Sequence, residues 1–207
     1  FAMPETAIGF FPDVGGSYFL SRIKNNIGLY LGLTGDIISA KELIYLGLAT
    51  HYFKSEKIEE LEKKYIKDGS LPETDKIENN DSDLINKINF IKNTFEGNIF
   101  SIMQKLKNSK LDYANKIYRH LLSRCPMSLA VTAELYNRAK KLSLKECLEM
   151  EFQLSQKIVY RDDFNNGIEA VLITKSHNPL WNPKSLHDID SDKLKSLFEK
   201  HTEQLNL

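Results

Sequence analysis

The sequence has few of the residues that mark metal sites and disulfide-stapled folds. Its 207 residues include two cysteines, Cys125 and Cys147, and five histidines. The histidines are scattered, and neither a His-Glu-x-x-His motif nor closely paired cysteines occur, so no metal site is indicated. We expect the two cysteines to be buried reduced thiols, which is typical of an intracellular protein.

The sequence also lacks an excess of either charge and any long apolar run. The 28 basic and 28 acidic residues cancel. A chain without an excess of basic residues lacks the positive charge that attracts phosphate backbones, so we expect no nucleic-acid partner. No apolar run approaches the ~20 residues that span a bilayer, so we expect no membrane partner. The chain starts at Phe1 rather than at Met, and its sequence therefore says nothing about a targeting peptide.

Motifs of nucleotide sites and of serine hydrolases are absent as well. Gly15-Gly16 fits neither a Gly-x-Gly-x-x-Gly nor a Walker pattern, and no Gly-x-Ser-x-Gly elbow is present. The remaining candidates for chemistry are Glu5 and Asp13, which stand among apolar residues in the segment 1–20. Carboxylates are costly to bury without partners, so this pair indicates either a specific polar task or an exposed turn.

The residues around the two carboxylates exclude one regular helix for both, because three of them break helices: Pro4, Gly9 and Pro12. Glu5 and Asp13 therefore share a pocket only if two short elements fold toward each other. Two structural alternatives compete with a shared site. Asp13 is a favoured residue for the N-cap of a following helix, and Glu5 is equally suited to be a solvated acid in the first turn of a helix after Pro4.

The opening segment resembles the central motif of the enoyl-CoA hydratase/isomerase (crotonase) superfamily. The matching residues are Met3-Pro4-Glu5, Gly9, Pro12-Asp13-Val14-Gly15-Gly16, Leu20 and Arg22. Within the superfamily, the segment 11–20 most resembles the 3-hydroxyisobutyryl-CoA hydrolases, whereas hydratases usually carry a small residue where Asp13 stands. The resemblance continues through residues 33–35, 38–42, 47–51, 124–129 and 163–173, and it spans most of the chain except the polar middle.

The resemblance implies an α/β crotonase-like fold in the parent protein. This chain is then its C-terminal half, mostly α-helical with few strands, and the preceding half supplies most of the sheet, the CoA-binding surface and the oxyanion donors. We expect residues 1–54 to form the C-terminal part of the crotonase core with the catalytic motif. Residues 55–207 are expected to form a helical region that completes the active site and offers possible subunit contacts, with a polar linker near 69–81.

The resemblance also implies an activity, namely hydrolysis of the thioester of a short 3-hydroxyacyl-CoA. Glu5 would attack the carbonyl or activate water, and Asp13 would accept the substrate 3-hydroxyl, so both would be catalytic and substrate-binding residues. No cofactor is implied beyond coenzyme A as part of the substrate. The implied partners are the acyl-CoA and the N-terminal half of the same protein, with a homo-oligomer left open. Without that half, we expect the chain to be inactive.

Other functions of the same superfamily remain open. An enoyl-CoA hydratase or isomerase would use Glu5 or Asp13 to move a proton at the α- or γ-carbon. A non-catalytic structural subunit, such as a mitochondrial ribosome component, is a third alternative, because folds are reused for binding. For the hydrolase, the resemblance implies that the protein is mitochondrial and acts in valine catabolism.

Local patterns predict the helices. Capping boxes at residues 39–42 and 143–146 open two of them, and apolar spacing predicts others at 55–67, 84–95 and 129–136. Asp162 or Asp163 is expected to cap a short helix that runs through Ile173. Residues 48–53 are the best strand candidate. The tail of residues 190–205 presents an apolar face, which we expect to pack on the chain's own core rather than on another subunit.

Overall fold

A computed structural model of the chain describes residues 1–77, 82–200 and 205. Every regular element in these ranges is helical, and none of the described residues lies in a β-strand. The α-helices are α1 (Gly16–Leu20), α2 (Ile27–Thr34), α3 (Ala40–Tyr45), α4 (Ile58–Asp68), α5 (Asp83–Asn86), α6 (Ile88–Thr94), α7 (Ile99–Asn108), α8 (Asp112–Leu122), α9 (Pro126–Ala139), α10 (Leu144–Ile158), α11 (Asp162–Ile168) and α12 (Ser191–Leu197). Short 3₁₀ helices cover Glu5–Ile8, Lys24–Asn26, Ser55–Lys57 and Leu186–Asp188, and one π-helical turn covers Glu169–Ile173. The prediction of a mostly helical chain is confirmed.

The chain divides into two compact units. The smaller unit consists of Phe1 and residues 37–88, and the larger one consists of residues 2–36 and 89–207. This division differs from the expected boundary at residue 54, because residues 37–54 group with the helices that follow them. The opening motif instead groups with the C-terminal helices, although more than a hundred residues separate them in sequence.

The smaller unit contains α3, α4 and α5. Its first capping box forms as predicted: the Ser39 hydroxyl accepts the Glu42 N–H at 3.3 Å, and the Glu42 carboxylate accepts the Ser39 N–H at 2.6 Å. Helix α4 forms close to the predicted range, with Ile58 and Tyr65 more than half exposed. The described part of the expected linker, residues 69–77, contains no helix or strand, and residues 78–81 lie outside the described residues.

The predicted strand at residues 48–53 is wrong. Its backbone finds one short pairing instead of a ladder: the Asp75 N–H donates to the Tyr52 carbonyl at 2.8 Å, and the Tyr52 N–H donates to the Thr74 hydroxyl at 2.8 Å. A strand needs a neighbour that pairs with a row of its backbone groups. Apolar composition alone therefore does not produce one here.

The larger unit is built around α9, most of whose residues are buried. Pro126 occupies the first turn of this helix, where its missing N–H is harmless. Helices α1 and α2 both pack against α9. A core cluster joins the opening segment to the C-terminal helices; its members are Phe10, Phe11, Cys125, Met127, Val131, Leu135, Leu154, Ile158 and Leu197. Among the described helices, none has the length and apolar character to cross a membrane.

The C-terminal helices follow the sequence pattern with two differences. The predicted helix at 84–95 is interrupted at Lys87, so it appears as α5 and α6. Neither candidate aspartate caps α11: its N-cap is Arg161, without a side-chain hydrogen bond to the helix. Asp163 instead accepts from the Arg161 guanidinium at 2.8 Å and from the Asn182 N–H at 2.7 Å. This buried carboxylate is used in tertiary bonds, which explains why the capping prediction is wrong.

The two remaining predictions for this unit are confirmed. The Ser143 capping box opens α10, with the Ser143 hydroxyl and the Glu146 carboxylate exchanging hydrogen bonds with backbone N–H groups. Helix α12 contacts α9 and α10, and its Leu197 is buried in the core cluster. The apolar face of the tail thus packs on the chain's own core as far as residue 200.

Candidate active site

Two short helical elements carry the candidate carboxylates. Glu5 is the first residue of the 3₁₀ helix Glu5–Ile8, which ends at Gly9 with φ of +75°. A Cβ atom at position 9 would lie 2.4 Å from the Asp163 carbonyl oxygen. Only glycine tolerates both that φ and that approach. The motif segment is consequently seated directly on the N-terminus of α11.

Along the sequence, a pair of buried aromatic residues lies between Glu5 and Asp13. The rings of Phe10 and Phe11 stack with centroids 4.4 Å apart, and Phe11 has no exposed surface. Full burial of a Phe side chain contributes about 1.5–3 kcal/mol relative to exposure. Burial of Phe10 and Phe11 anchors the segment to the core, so Glu5 and Asp13 remain close to the core although they are polar. Both are half-buried.

Asp13 opens a tight turn that precedes α1. The Gly16 N–H donates to the Asp13 carbonyl at 2.7 Å, and the two residues between them have positive φ, +49° at Val14 and +83° at Gly15. Glycine adopts this conformation readily, whereas a β-branched valine there is strained. Helix α1 begins after Gly15, and the Asp13 side chain does not cap it. The N-cap alternative for Asp13 is therefore wrong.

Glu5 stands at the start of its helix, as the second alternative proposed, but it is not a solvated acid. Its Oε2 atom is buried and has no hydrogen-bond partner among the described residues. Burial is the main cause that raises the pKa of Glu5 from 4.5 to about 7; the nearby negative charge of Asp13 raises it further, and a backbone hydrogen bond opposes both. Near neutral pH both protonation states of Glu5 are thus populated, as a general base or acid requires.

A third carboxylate, which sequence reasoning missed, faces the Asp13 turn. Glu151 lies on α10 and is only 4% exposed. It accepts hydrogen bonds from the Gly15 N–H at 2.8 Å, from the Ser17 N–H at 2.9 Å and from the Ser17 hydroxyl. Burial raises the pKa of Glu151, these three bonds oppose the rise, and the charge of Asp13 adds to it. The charge of Asp13 thus acts on both Glu5 and Glu151.

The sequence did contain a signal for Glu151. Leu144, Leu148 and Phe152 stand at intervals of four residues and would share one face of α10, yet Leu144 is 47% exposed. The buried stripe of this helix runs through residues at helical spacing: Cys147, Glu151, Leu154 and Ile158. A glutamate at a position of that stripe is costly to bury, and such a position is a candidate for a functional or clamping role.

Metal ligands, cysteines and cavities are the other features that could mark an active site. In the ranges that the structure describes, no three His, Cys, Asp or Glu side chains are grouped as metal ligands. Cys125 and Cys147 are buried free thiols, and burial raises the pKa of Cys125 to about 11. A cavity of about 570 Å³ is lined by other residues, among them Tyr118, Arg124 and Lys184, and includes neither Glu5 nor Asp13.

The chain is similar in sequence to known proteins along nearly its whole length. A sequence profile of the enoyl-CoA hydratase/isomerase family matches residues 1–198. Mitochondrial 3-hydroxyisobutyryl-CoA hydrolases are 39% identical in Dictyostelium discoideum and 34% identical in Homo sapiens, each over 96% of this chain. The aligned part covers 56% and 55% of those two proteins. The chain therefore spans about half the length of the curated relatives that it matches.

Solved structures of similar fold come from related enzymes. A carnitinyl-CoA dehydratase from Mycobacterium thermoresistibile superposes with a TM-score of 0.88 at 32% identity, over 99% of this chain and 60% of that structure. An enoyl-CoA hydratase from Rhodobacter sphaeroides 2.4.1 superposes with a TM-score of 0.87 at 27% identity, over 96% of this chain and 59% of that structure. The chain thus shares its fold with these two proteins.

Proposed function

The chain belongs to the enoyl-CoA hydratase/isomerase family, and from this premise we propose that the full-length protein hydrolyses a short 3-hydroxyacyl-CoA thioester, specifically 3-hydroxyisobutyryl-CoA. The names of the curated relatives support this substrate and a mitochondrial location. From the family resemblance, we propose that the reaction belongs to valine catabolism. The observation that carries the proposal is the Glu5 carboxyl group. It is half-buried, one of its oxygens has no hydrogen-bond partner in the described part of the chain, and the charge of Asp13 acts on it.

Hydrolysis of a thioester adds water across the C–S bond. In the proposed reaction, ionised Glu5 either attacks the carbonyl carbon or takes a proton from the attacking water. The C–S bond then breaks, coenzyme A leaves as a thiolate that takes up a proton, and the acyl group ends as a carboxylate. By the direct route, a second step with water releases the acyl group from Glu5. A pKa of about 7 suits either role, because much of Glu5 is ionised at neutral pH.

Asp13 is proposed to accept a hydrogen bond from the substrate 3-hydroxyl. Its half-buried position and its charge interaction with Glu5 support this role, since a fixed hydroxyl would orient the thioester toward the Glu5 carboxylate. The donors that stabilise the oxyanion, by family resemblance, belong to the other half of the protein. For this reason we propose that the catalytic unit is the full-length protein, and that the 207-residue chain is inactive by itself.

Two assays on the full-length protein test this function. Release of free thiol from 3-hydroxyisobutyryl-CoA is expected in the wild type, and Glu5→Gln should lower kcat by at least ~10²-fold, a typical contribution of a positioned base. Asp13→Asn should lower kcat/KM more for hydroxylated thioesters than for analogues without the hydroxyl. Glu62→Gln, at an exposed position of α4, is the matched control and should leave both rates unchanged. Equal loss on both substrates would remove Asp13 from the hydroxyl site.

A second candidate function is hydration or isomerisation of an enoyl-CoA. The specific observation in its favour is that the two similar structures are a carnitinyl-CoA dehydratase and an enoyl-CoA hydratase. In that case Glu5 or Asp13 would move a proton on the acyl chain, and the thioester would stay intact. A change in enoyl absorbance without thiol release would establish this alternative over the hydrolase.

A further inference from the structure

We propose that Glu151 is a positioning residue for Asp13: its buried carboxylate holds the Asp13–Ser17 turn in the conformation that presents Asp13 to the substrate. This inference rests on the function proposed above, because it assigns Glu151 a task at the same site. Glu151 does not itself touch substrate in this scheme. It acts on the reaction through the backbone to which Asp13 is attached.

The first argument is the completeness of the clamp. Both Glu151 carboxylate oxygens are used: Oε2 accepts the Gly15 N–H, and Oε1 accepts the Ser17 N–H and hydroxyl. Charge-assisted bonds of this kind are roughly twice as strong as neutral ones. They connect α10 to a turn more than 130 residues earlier, so the clamp is a tertiary contact between two distant segments of the chain.

The second argument is the strain in the turn. Val14 has φ of +49° and is 79% exposed, so its side chain gains little from burial that would offset an unfavourable backbone. A non-glycine residue in a sparsely populated backbone conformation is strained and persists only where its surroundings hold it. The residues that follow Val14 are the ones bound by Glu151. Without the clamp, the turn is expected to relax and move Asp13.

The third argument is the cost of placing Glu151 there. The Glu151 carboxylate, on the buried stripe of α10, is only 4% exposed; burial raises its pKa, and the like charge of Asp13 raises the pKa further. A neutral or apolar residue at this helix position would avoid both penalties. The same helix already contacts the turn through apolar groups, since Leu144 and Leu148 lie within 4 Å of where a Cβ on Gly15 would be. The carboxylate therefore adds a defined orientation to a contact that already exists.

The test is a double-mutant cycle on the full-length protein with Glu151→Gln. A glutamine keeps the shape but places an NH₂ group against backbone N–H donors, so at least one clamp bond is lost. We expect kcat/KM for the hydroxylated thioester to fall by about 10- to 10²-fold, the scale of a small misplacement of a reacting group. The preference for hydroxylated over deoxy substrate should fall with it. In the Asp13→Asn background the same change should alter kcat/KM by less than about 2-fold, because residues that act through one another are not additive.

Two further measurements keep the inference open to refutation. Amide exchange at Gly15 and Ser17, which needs no activity, should accelerate at least about 10-fold in Glu151→Gln and stay slow in the Glu62→Gln control. If Glu151→Gln does not fold, Ser17→Ala removes only the hydroxyl bond and should show the same coupling with a smaller loss. Equal losses in both backgrounds would overturn the positioning role while leaving the hydrolase proposal intact. Absence of thiol release by the wild type would instead overturn the proposed function, and wild-type rates in Asp13→Asn would overturn the role of Asp13. The inference fails with either result.

Discussion

Replacing Glu5 by glutamine should stabilise the protein while it abolishes most activity. Glu5 has a pKa of about 7 in the folded chain against an ordinary value of 4.5, chiefly because burial disfavours its charged form. A raised pKa means that the folded state binds the proton more tightly than the unfolded state. The contribution of Glu5 to folding is therefore most favourable below pH 4.5, and it is lost as the pH rises through about 7.

The size of the effect follows from the two pKa values. A difference of 7 minus 4.5, at 1.36 kcal/mol for each pH unit, gives an upper limit of about 3 kcal/mol. Solvent screening of a half-buried side chain reduces this, so we expect Glu5→Gln to gain about 1–3 kcal/mol at pH 8. At pH 4.5 both side chains are largely neutral in the folded state, and the gain should nearly vanish.

The assay is urea unfolding of the full-length wild type and Glu5→Gln at pH 4.5 and pH 8, with kcat measured on the same samples. Glu62→Gln, exposed on α4, serves as the control for loss of one negative charge. A stability difference between wild type and Glu5→Gln that is the same at both pH values would refute the raised pKa. Retention of activity by a more stable Glu5→Gln would instead refute its catalytic role.

Three further predictions concern the same unit. As the pH is lowered through about 7, kcat/KM should fall because Glu5 becomes protonated. Asp13→Asn should move this fall to lower pH, because it removes a negative charge that raises the pKa of Glu5. A fall at the same pH in both proteins would assign the titration to another group. In equilibrium unfolding, Gly9→Ala should lower the stability of the protein by at least about 1 kcal/mol more than Gly47→Ala does. Both positions have positive φ, but only at Gly9 does a backbone oxygen lie 2.4 Å from the added Cβ. Equal losses of stability would exclude a role for this close approach. Iodoacetamide at pH 8 should modify Cys125 at least about 10-fold more slowly in the native than in the urea-unfolded protein. The reason is that the Cys125 thiol is buried and its pKa is raised to about 11. Equal rates would show that the thiol is accessible in the native protein.

The hydrolase and hydratase proposals rest on different comparisons. The relatives that match in sequence are hydrolases by name, whereas the two similar solved structures are a dehydratase and a hydratase. The thiol-release assay distinguishes the two proposals, because only the hydrolase breaks the C–S bond.

Local features of this protein were readable from its sequence because their causes are local. The boxes at Ser39 and Ser143 open helices, since each serine and the glutamate three residues later satisfy neighbouring backbone N–H groups. Helical spacing of apolar residues predicted α4 and α9 for a similar reason: one face of a helix repeats every three to four residues. The carboxylates of the opening segment were also identified by local context, as acids among apolar residues and helix breakers.

Tertiary structure alone decided what those carboxylates contact. Asp13 sits where an N-cap is expected, yet Glu151 takes the N–H groups at the start of α1 from across more than 130 residues. The pKa of Glu5 depends on burial and on the through-space charge of Asp13, neither of which spacing reveals. Residues 48–53 have the composition of a strand, but within the ranges that the structure describes no segment pairs with them as a ladder. Capping and periodicity act over a few residues, whereas burial, charge interactions and strand pairing depend on which distant segments meet.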